Sequence, residues 1–123
     1  MTNPRIREIK HAQKESMLLQ EIGQLFIQIS QDEPKLQGLF LTRVNLSPDK
    51  GKCTIYFHAL GGLKEFEEKR PILVLYKGSL RKALSQIIYG RYTPNLRFAY
   101  DHILDKQRHV EDLIDTLKDE GDL

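Results

Sequence analysis

The chain has 123 residues, 40% hydrophobic and 29% charged, enough to fill one core and keep its surface wet, and too few for a multi-domain machine or a large substrate chamber. Its longest apolar runs, such as Ile72 to Tyr76, fall far short of the roughly 20 residues that cross a bilayer, and Met1 to Lys10 carries no apolar signal stretch. A single cysteine, Cys53, excludes an internal disulfide and a thiolate zinc cage and fits a reducing cytoplasm.

The elements follow in chain order. Leu18, Ile22, Leu25, Phe26 and Ile29 recur at three- and four-residue steps, which predicts a helix ending near Ser30. The polar run from Lys10 to Ser16 has little to bury, so residues 1–16 are expected to stand apart as a flexible lead segment. Pro34 and Gly38 punctuate a loop. The period then changes to two: Phe40, Thr42, Val44 and Leu46 share one strand face, and Cys53, Ile55, Phe57 and Ala59 share the next. Ser47-Pro48-Asp49-Lys50-Gly51 supplies the hairpin turn, with Gly51 in the position to take a positive φ. Arg43, Asn45, Thr54, Tyr56 and His58 fall on the opposite faces, so one side of the sheet is covered and the other open.

After Gly61-Gly62 the stretch Leu63 to Tyr76 reads as a helix that Pro71 breaks or restarts. Gly78 interrupts again, Ser79 caps, and Leu80, Ala83, Leu84, Ile87 and Ile88 form the face of a further helix ended by Gly90. Leu96, Phe98 and Tyr100 alternate with Arg97 and Ala99 as a third strand. Val110, Leu113, Ile114 and Leu117 stripe an acidic terminal helix. The order is helix, strand, strand, helix, helix, strand and an accessory helix, an α+β domain whose folded unit spans 17–101 with an acidic tail over 102–123.

Charge points to the partner. The formal net charge of +2 conceals 16 Lys and Arg against 10 Asp and Glu over residues 1–101, and 3 against 7 over residues 102–123. From Lys69 to Tyr100 stand Lys69, Arg70, Lys77, Arg81, Lys82, Arg91 and Arg97 without one acid, a positive field suited to a polyanion. Lys77, Arg81 and Lys82 at the helix junction, with Arg91 and Arg97 beyond, are the candidate phosphate ligands. Gly78 would let a phosphate approach bare amides at a helix start. About five such contacts give a log-log salt slope near −3.5 to −4.5. Tyr56 and Tyr92 are candidate stacking partners for unpaired bases. His58, His102 and His109 lack the spacing of a metal-ligand motif, and no serine stands in a nucleophile elbow, so neither a metal, a cofactor nor an enzyme is expected.

Leu80-Arg81 after Gly78, the run Arg91-Tyr92-Thr93-Pro94-Asn95-Leu96-Arg97-Phe98-Ala99-Tyr100-Asp101, Val44-Asn45-Leu46-Ser47-Pro48-Asp49 and Pro34-Lys35-Leu36 together resemble the bacterial ribosome-binding factor A family from about Glu21 to Leu117. The resemblance implies a K-homology-like (KH-like) domain of the second topological type, three strands covered by helices on one face, which binds the maturing small ribosomal subunit and its RNA in the cytoplasm without catalysis and as a monomer. It also implies a kinked junction in place of a Gly-x-x-Gly phosphate loop, here Tyr76-Lys77-Gly78, where Tyr76 departs from the small residue expected. The competing reading is a protein-interaction adaptor that uses the open sheet face and does not touch RNA.

Overall fold

The structure, a computed structural model, describes residues 4–87 and 93–103. The accessory helix expected beyond 103, and Arg91 and Tyr92, lie outside the described residues. Helix α1 (Pro4–Asp32) leads through a single 3-10 turn (Pro34–Leu36) into strand β1 (Leu39–Leu46); β2 (Lys52–Ala59), α2 (Gly62–Leu75), α3 (Lys77–Ile87) and β3 (Asn95–Tyr100) follow. The sheet order is β1-β2-β3, with β1 antiparallel and β3 parallel to β2. Such a parallel pairing needs a long crossover, and α2 with α3 supplies it.

Alternation decides which face is buried. Cys53, Ile55, Phe57 and Ala59 of β2 and Leu96, Phe98 and Tyr100 of β3 point into the helical layer, where they meet Leu18, Ile22 and Phe26 of α1, Phe66 and Leu73 of α2 and Leu80 and Leu84 of α3. Phe57 is the centre of this core. Its ring stands 5.1 Å from Phe26, 5.9 Å from Phe98 and 6.2 Å from Phe66, centroid to centroid. Burial pushes the Cys53 thiol up to about 12, with Glu15 adding to the shift, so Cys53 is a packing residue and not a nucleophile.

Four local expectations are corrected. In β1 the register slips between Leu41 and Arg43, a bulge at Thr42 that puts Leu39, Leu41, Val44 and Leu46 together on the inner side and leaves Phe40, 50% exposed, on the other. Phe40 and Thr42 therefore do not share a face with Val44. His58 is 6% exposed and stacks beside Tyr100, because the chain leaving β3 folds over the end of β2, where the Asp101 amide donates to Phe57 O at 2.7 Å. In the turn, Lys50 takes the positive φ of 62°, while Gly51 donates its amide to Asp49 Oδ1 at 2.9 Å. Pro71 does not break α2. Pro71 and Glu67 are both exposed, so the carbonyl that loses its partner turns to water while Phe66 and Leu73 hold the helix to the core.

Helix α1 is also longer than its apolar stripe. The run that looked unsupported is fastened by two polar contacts across the fold, His11 Nε2 at 2.8 Å from Leu46 O and the Leu46 amide donating to Glu15 Oε2 at 3.0 Å. At the other end of β1, Gly38 has φ of 97°, and a Cβ there would lie 2.8 Å from Glu65 Oε2. Only glycine fits without moving the carboxylate. Glu65 itself accepts from Gly61 N–H at 2.7 Å and from Lys69 Nζ at 2.9 Å, so it fixes the start of α2 against the loop before β1.

Truncating Phe57 to alanine removes the ring on which three others converge and is expected to lower stability by about 3 to 5 kcal/mol. Urea denaturation of the Phe57→Ala and wild-type proteins, compared at their midpoints, checks this.

Candidate nucleic-acid interface

The junction between α2 and α3 turns at Tyr76 and not at Gly78. Tyr76 is the C-cap of α2 with φ −90° and ψ −2°; its amide donates to Leu73 O at 3.0 Å, and its carbonyl accepts the Leu80 amide at 2.9 Å. Lys77, Gly78 and Ser79 thus lie inside the first turn of α3, and Ser79 is not the cap. The Tyr76 side chain packs on the core and sets its hydroxyl 3.5 Å from Glu33 Oε2. Burial raises its phenol above the usual range, and the Glu33 charge adds to this. The extra aromatic ring therefore props the kink against the end of α1.

Gly78 is exposed, and among the described residues a Cβ built on it would meet nothing within 4 Å. Neither close packing nor a left-handed backbone requires glycine at this position. What the missing side chain does is bare the backbone of the first turn of α3 on the wall of a groove of about 460 Å3 lined by Gly78, Arg81, Lys82, Ser85 and Thr93. Arg81 is oriented by its Nη2, which donates to Thr93 O at 3.2 Å. That bond occupies one edge of the guanidinium and leaves the other donors for an anion. Arg81 and Lys82 are exposed, Lys77 is half-buried, and no carboxylate among the described residues pairs with any of the three.

The structure divides the predicted set. Lys77, Gly78, Arg81 and Lys82 are brought together on α3, whereas Arg97 stands on β3 with its neighbours Leu96 and Phe98 buried on the helical side. Arg97 therefore faces away from α3, on the open side of the sheet. Lys69, counted in the acid-free run, is not an unscreened charge. It is paired with Glu65 at 2.9 Å and also donates to Gln37 O, and that ammonium and the Gly61 amide hold the Glu65 carboxyl below its usual range.

Tyr56 is half-buried, and its ring is already covered. The Arg43 guanidinium carbon sits 3.8 Å from the ring centroid, while Arg43 Nε reaches Asp101 Oδ2 at 3.3 Å. Thr42 donates its hydroxyl to the same oxygen at 2.7 Å, and the Ile103 amide donates to Oδ1 at 3.0 Å. Burial works to raise the Asp101 pKa but is outweighed by these donors, Thr42 foremost, and the carboxyl lies below its usual range. Arg43 was not a candidate ligand in the sequence, although counting outward from the hairpin turn pairs Asn45 with Thr54 and Arg43 with Tyr56.

With this geometry in place, comparison with known proteins decides the family. The family model described as Ribosome-binding factor A matches residues 10–114. The chain belongs to the ribosome-binding factor A family. It is 31% identical over 93 residues to the ribosome-binding factor A of Citrifermentans bemidjiense, spanning 76% of this chain and 77% of that one. Over 110 residues it is 31% identical to that of Nitrosococcus oceani, spanning 89% and 86%. Among solved structures, a Thermotoga maritima solution structure titled a putative ribosome binding factor A superposes with a TM-score of 0.59 at 29% identity, covering 80% of this chain and 91% of that one. The Thermus thermophilus family member, at 22% identity and TM-score 0.63 over 73% of this chain and 93% of its own, shares the fold. The α+β, KH-like architecture is thus the family's own. Another Thermus thermophilus model, at 23% identity and TM-score 0.54 over 72% of this chain and 92% of its own, was fitted into a cryo-EM map of a complex of that protein with the 30S subunit. Among the described residues no helix is long and apolar enough to cross a membrane.

Two measurements test these local assignments. Gly78→Ala meets no neighbour and improves helix propensity, so thermal unfolding is expected to show a gain of about 0.5 kcal/mol. Asp101→Asn is expected to lower stability at neutral pH by about 1 to 3 kcal/mol. The folded-state pKa of Asp101 is depressed, so its contribution is present above the ordinary carboxylate value and is lost as pH falls through the folded one. The difference between Asp101→Asn and wild type therefore narrows below about pH 4, which denaturation at a series of pH values reads directly.

Proposed function

We propose that this protein binds the immature small ribosomal subunit through its ribosomal RNA, in the cytoplasm, and assists late maturation or processing of that RNA without catalysing a reaction. Family membership and the fitted 30S complex of the Thermus thermophilus relative support the target. The observation that carries the reading in this chain is the α3 groove, where Gly78, Arg81 and Lys82 line one concave surface and neither cation is paired with a carboxylate among the described residues.

Each part has a separate task. Lys77 and Lys82 act as point charges that displace counterions from the RNA backbone, and Arg81, oriented by Thr93, offers a planar fork to a phosphate. At Gly78 the exposed first turn of α3 lets a phosphate oxygen approach the backbone at a helix start. Arg91, in the same sequence run, adds to this set, as does Tyr92 by stacking. The folded unit, which α1 extends upstream of the expected 17–101, carries the contacts. Maturation is assisted by occupancy. A protein that binds one RNA conformation more tightly than its competitors shifts the population by its differential affinity, then leaves when the mature site no longer fits.

Sedimentation with immature small subunits at two salt concentrations tests this. Arg81→Glu/Lys82→Glu is expected to abolish co-sedimentation at the higher salt and to reduce the log-log salt slope by about 1.5 to 2. A variant that co-sediments like wild type at both salts sinks the assignment of α3.

A further inference from the structure

Beyond Phe40 at the start of β1, the open face of the sheet is built of cations, small polar groups and one tyrosine. The three strands together hold Arg43, Lys52 and Arg97 and no carboxylate. Strand register lays these residues out in rows: Arg43, Tyr56 and Ala99 lie side by side across the sheet, Asn45, Thr54 and Arg97 form the next row, and Lys52 pairs with Asn95 beyond it. Resting on the RNA-binding reading above, we infer that this face is a second RNA contact, one that takes unpaired bases of a single strand.

The Arg43 guanidinium is the centre of the argument. Its carbon sits over Tyr56 at 3.8 Å from the ring centroid, and its Nε is tied to Asp101, which in turn is held by Thr42 and by the Ile103 amide. A long flexible side chain has thereby been immobilised before any ligand arrives, which reduces the ordering entropy that binding would otherwise demand. Its outward plane is a stacking surface for a base, and its two Nη groups remain as donors to a phosphate or a base edge. Ala99, beside Tyr56, leaves the floor next to the stack low, while Asn45 and Thr54 offer donors and acceptors one row away. Arg97 at the end of that row and Lys52 one row beyond, both exposed, serve as phosphate ligands. The Asp101 carboxylate at the rim is engaged by three donors and 3% exposed, so it repels an incoming strand weakly. Duplex RNA hides its base faces and cannot use a stacking plane of this kind. The chemistry of these rows therefore selects a single strand, because a protein segment would find little apolar surface among them, Phe40 standing apart at the start of β1.

The test uses the full chain and a short single-stranded RNA of mixed sequence carrying 4-thiouridine. Arg97→Glu, which breaks no hydrogen bond or ion pair among the described residues, is expected to weaken binding about ten-fold, and Arg43→Lys, which keeps the charge but loses the plane, about five-fold. Thermal unfolding of each variant establishes that it is folded. Photo-crosslinking should place adducts on the peptide containing Tyr56. Wild-type affinity in both variants, adducts confined to α3, or equal weakening by Arg43→Lys for the matching duplex would each overturn the inference. Loss of a ribosomal protein contact in the same variants, with RNA affinity unchanged, would overturn it too and assign the face to a protein. The α3 reading is judged separately by Arg81→Glu/Lys82→Glu on the small subunit. If that pair is silent while Arg97→Glu weakens the single strand, the α3 assignment falls and the sheet face stands.

Discussion

The extra residue at Thr42 in β1 is the constraint on which the two faces of this sheet depend. Without it, strict alternation would put Leu39 and Leu41 on the same side as Arg43 and Asn45, and one end of the strand would lose its core contacts. With the bulge, inward residues before and after it all reach the helical layer, and Arg43 is delivered to the ring of Tyr56. The bulged Thr42 is itself used. Its hydroxyl takes the Asp101 carboxylate that follows β3, so the irregularity in the first strand anchors the end of the third across the second. A residue left unpaired in the ladder thus becomes the point at which three strands and one guanidinium are fixed together.

How much of this was legible follows from range in sequence. Stripes such as Leu18, Ile22 and Phe26, and alternations such as Cys53, Ile55 and Phe57, announce their element because the period of the backbone alone decides which side is dry. The hairpin and the order of elements could be read on the same ground. The state of Lys10 to Ser16 could not, since its support is a pair of contacts from His11 and Glu15 to Leu46, more than thirty residues away. Pro71 misled because propensity rules describe an isolated helix, whereas an exposed proline with a solvated upstream carbonyl is tolerated when neighbouring turns are packed. Lys50 took the left-handed place expected of Gly51 because Asp49 had already bound the Gly51 amide. The cationic residues were found by composition, but composition cannot say which side of a sheet a residue faces. Alternation places Arg97 on the open side once β3 is accepted as a strand buried through Leu96 and Phe98.

Electrostatic segregation at α3 has a structural cause. Among the described residues no carboxylate pairs with Lys77, Arg81 or Lys82: Glu65 binds Lys69 and Gly61, Asp101 binds Thr42 and Arg43, and Glu33 meets the junction at the Tyr76 hydroxyl and caps the 3-10 turn through Lys35 N–H. The field of Lys77, Arg81 and Lys82 is therefore left for solvent and for a polyanion. Tyr76 contributes by steric support, since its side chain packs on the core and its hydroxyl reaches Glu33 just past the end of α1.

β3 joins the two surfaces. It is an edge strand in the order β1-β2-β3, reached through Thr93, whose carbonyl orients Arg81 in the α3 groove, and it carries Arg97 on the opposite face four residues later. On the proposed reading, an RNA segment in the groove would turn around this edge and continue on the sheet without crossing a carboxylate of the strands. Contact on both sides of one edge demands that the RNA bend sharply there, which unpaired nucleotides do readily and a duplex does not. Under the proposed contacts, affinity would depend on the local folding state of the RNA as well as on its charge. A junction still single-stranded would satisfy both surfaces, and the same junction, once paired, would keep the phosphate contacts on α3 and lose the stacked base on Arg43. That difference in free energy between RNA states is what a binding protein needs in order to recognise immaturity and to release on completion.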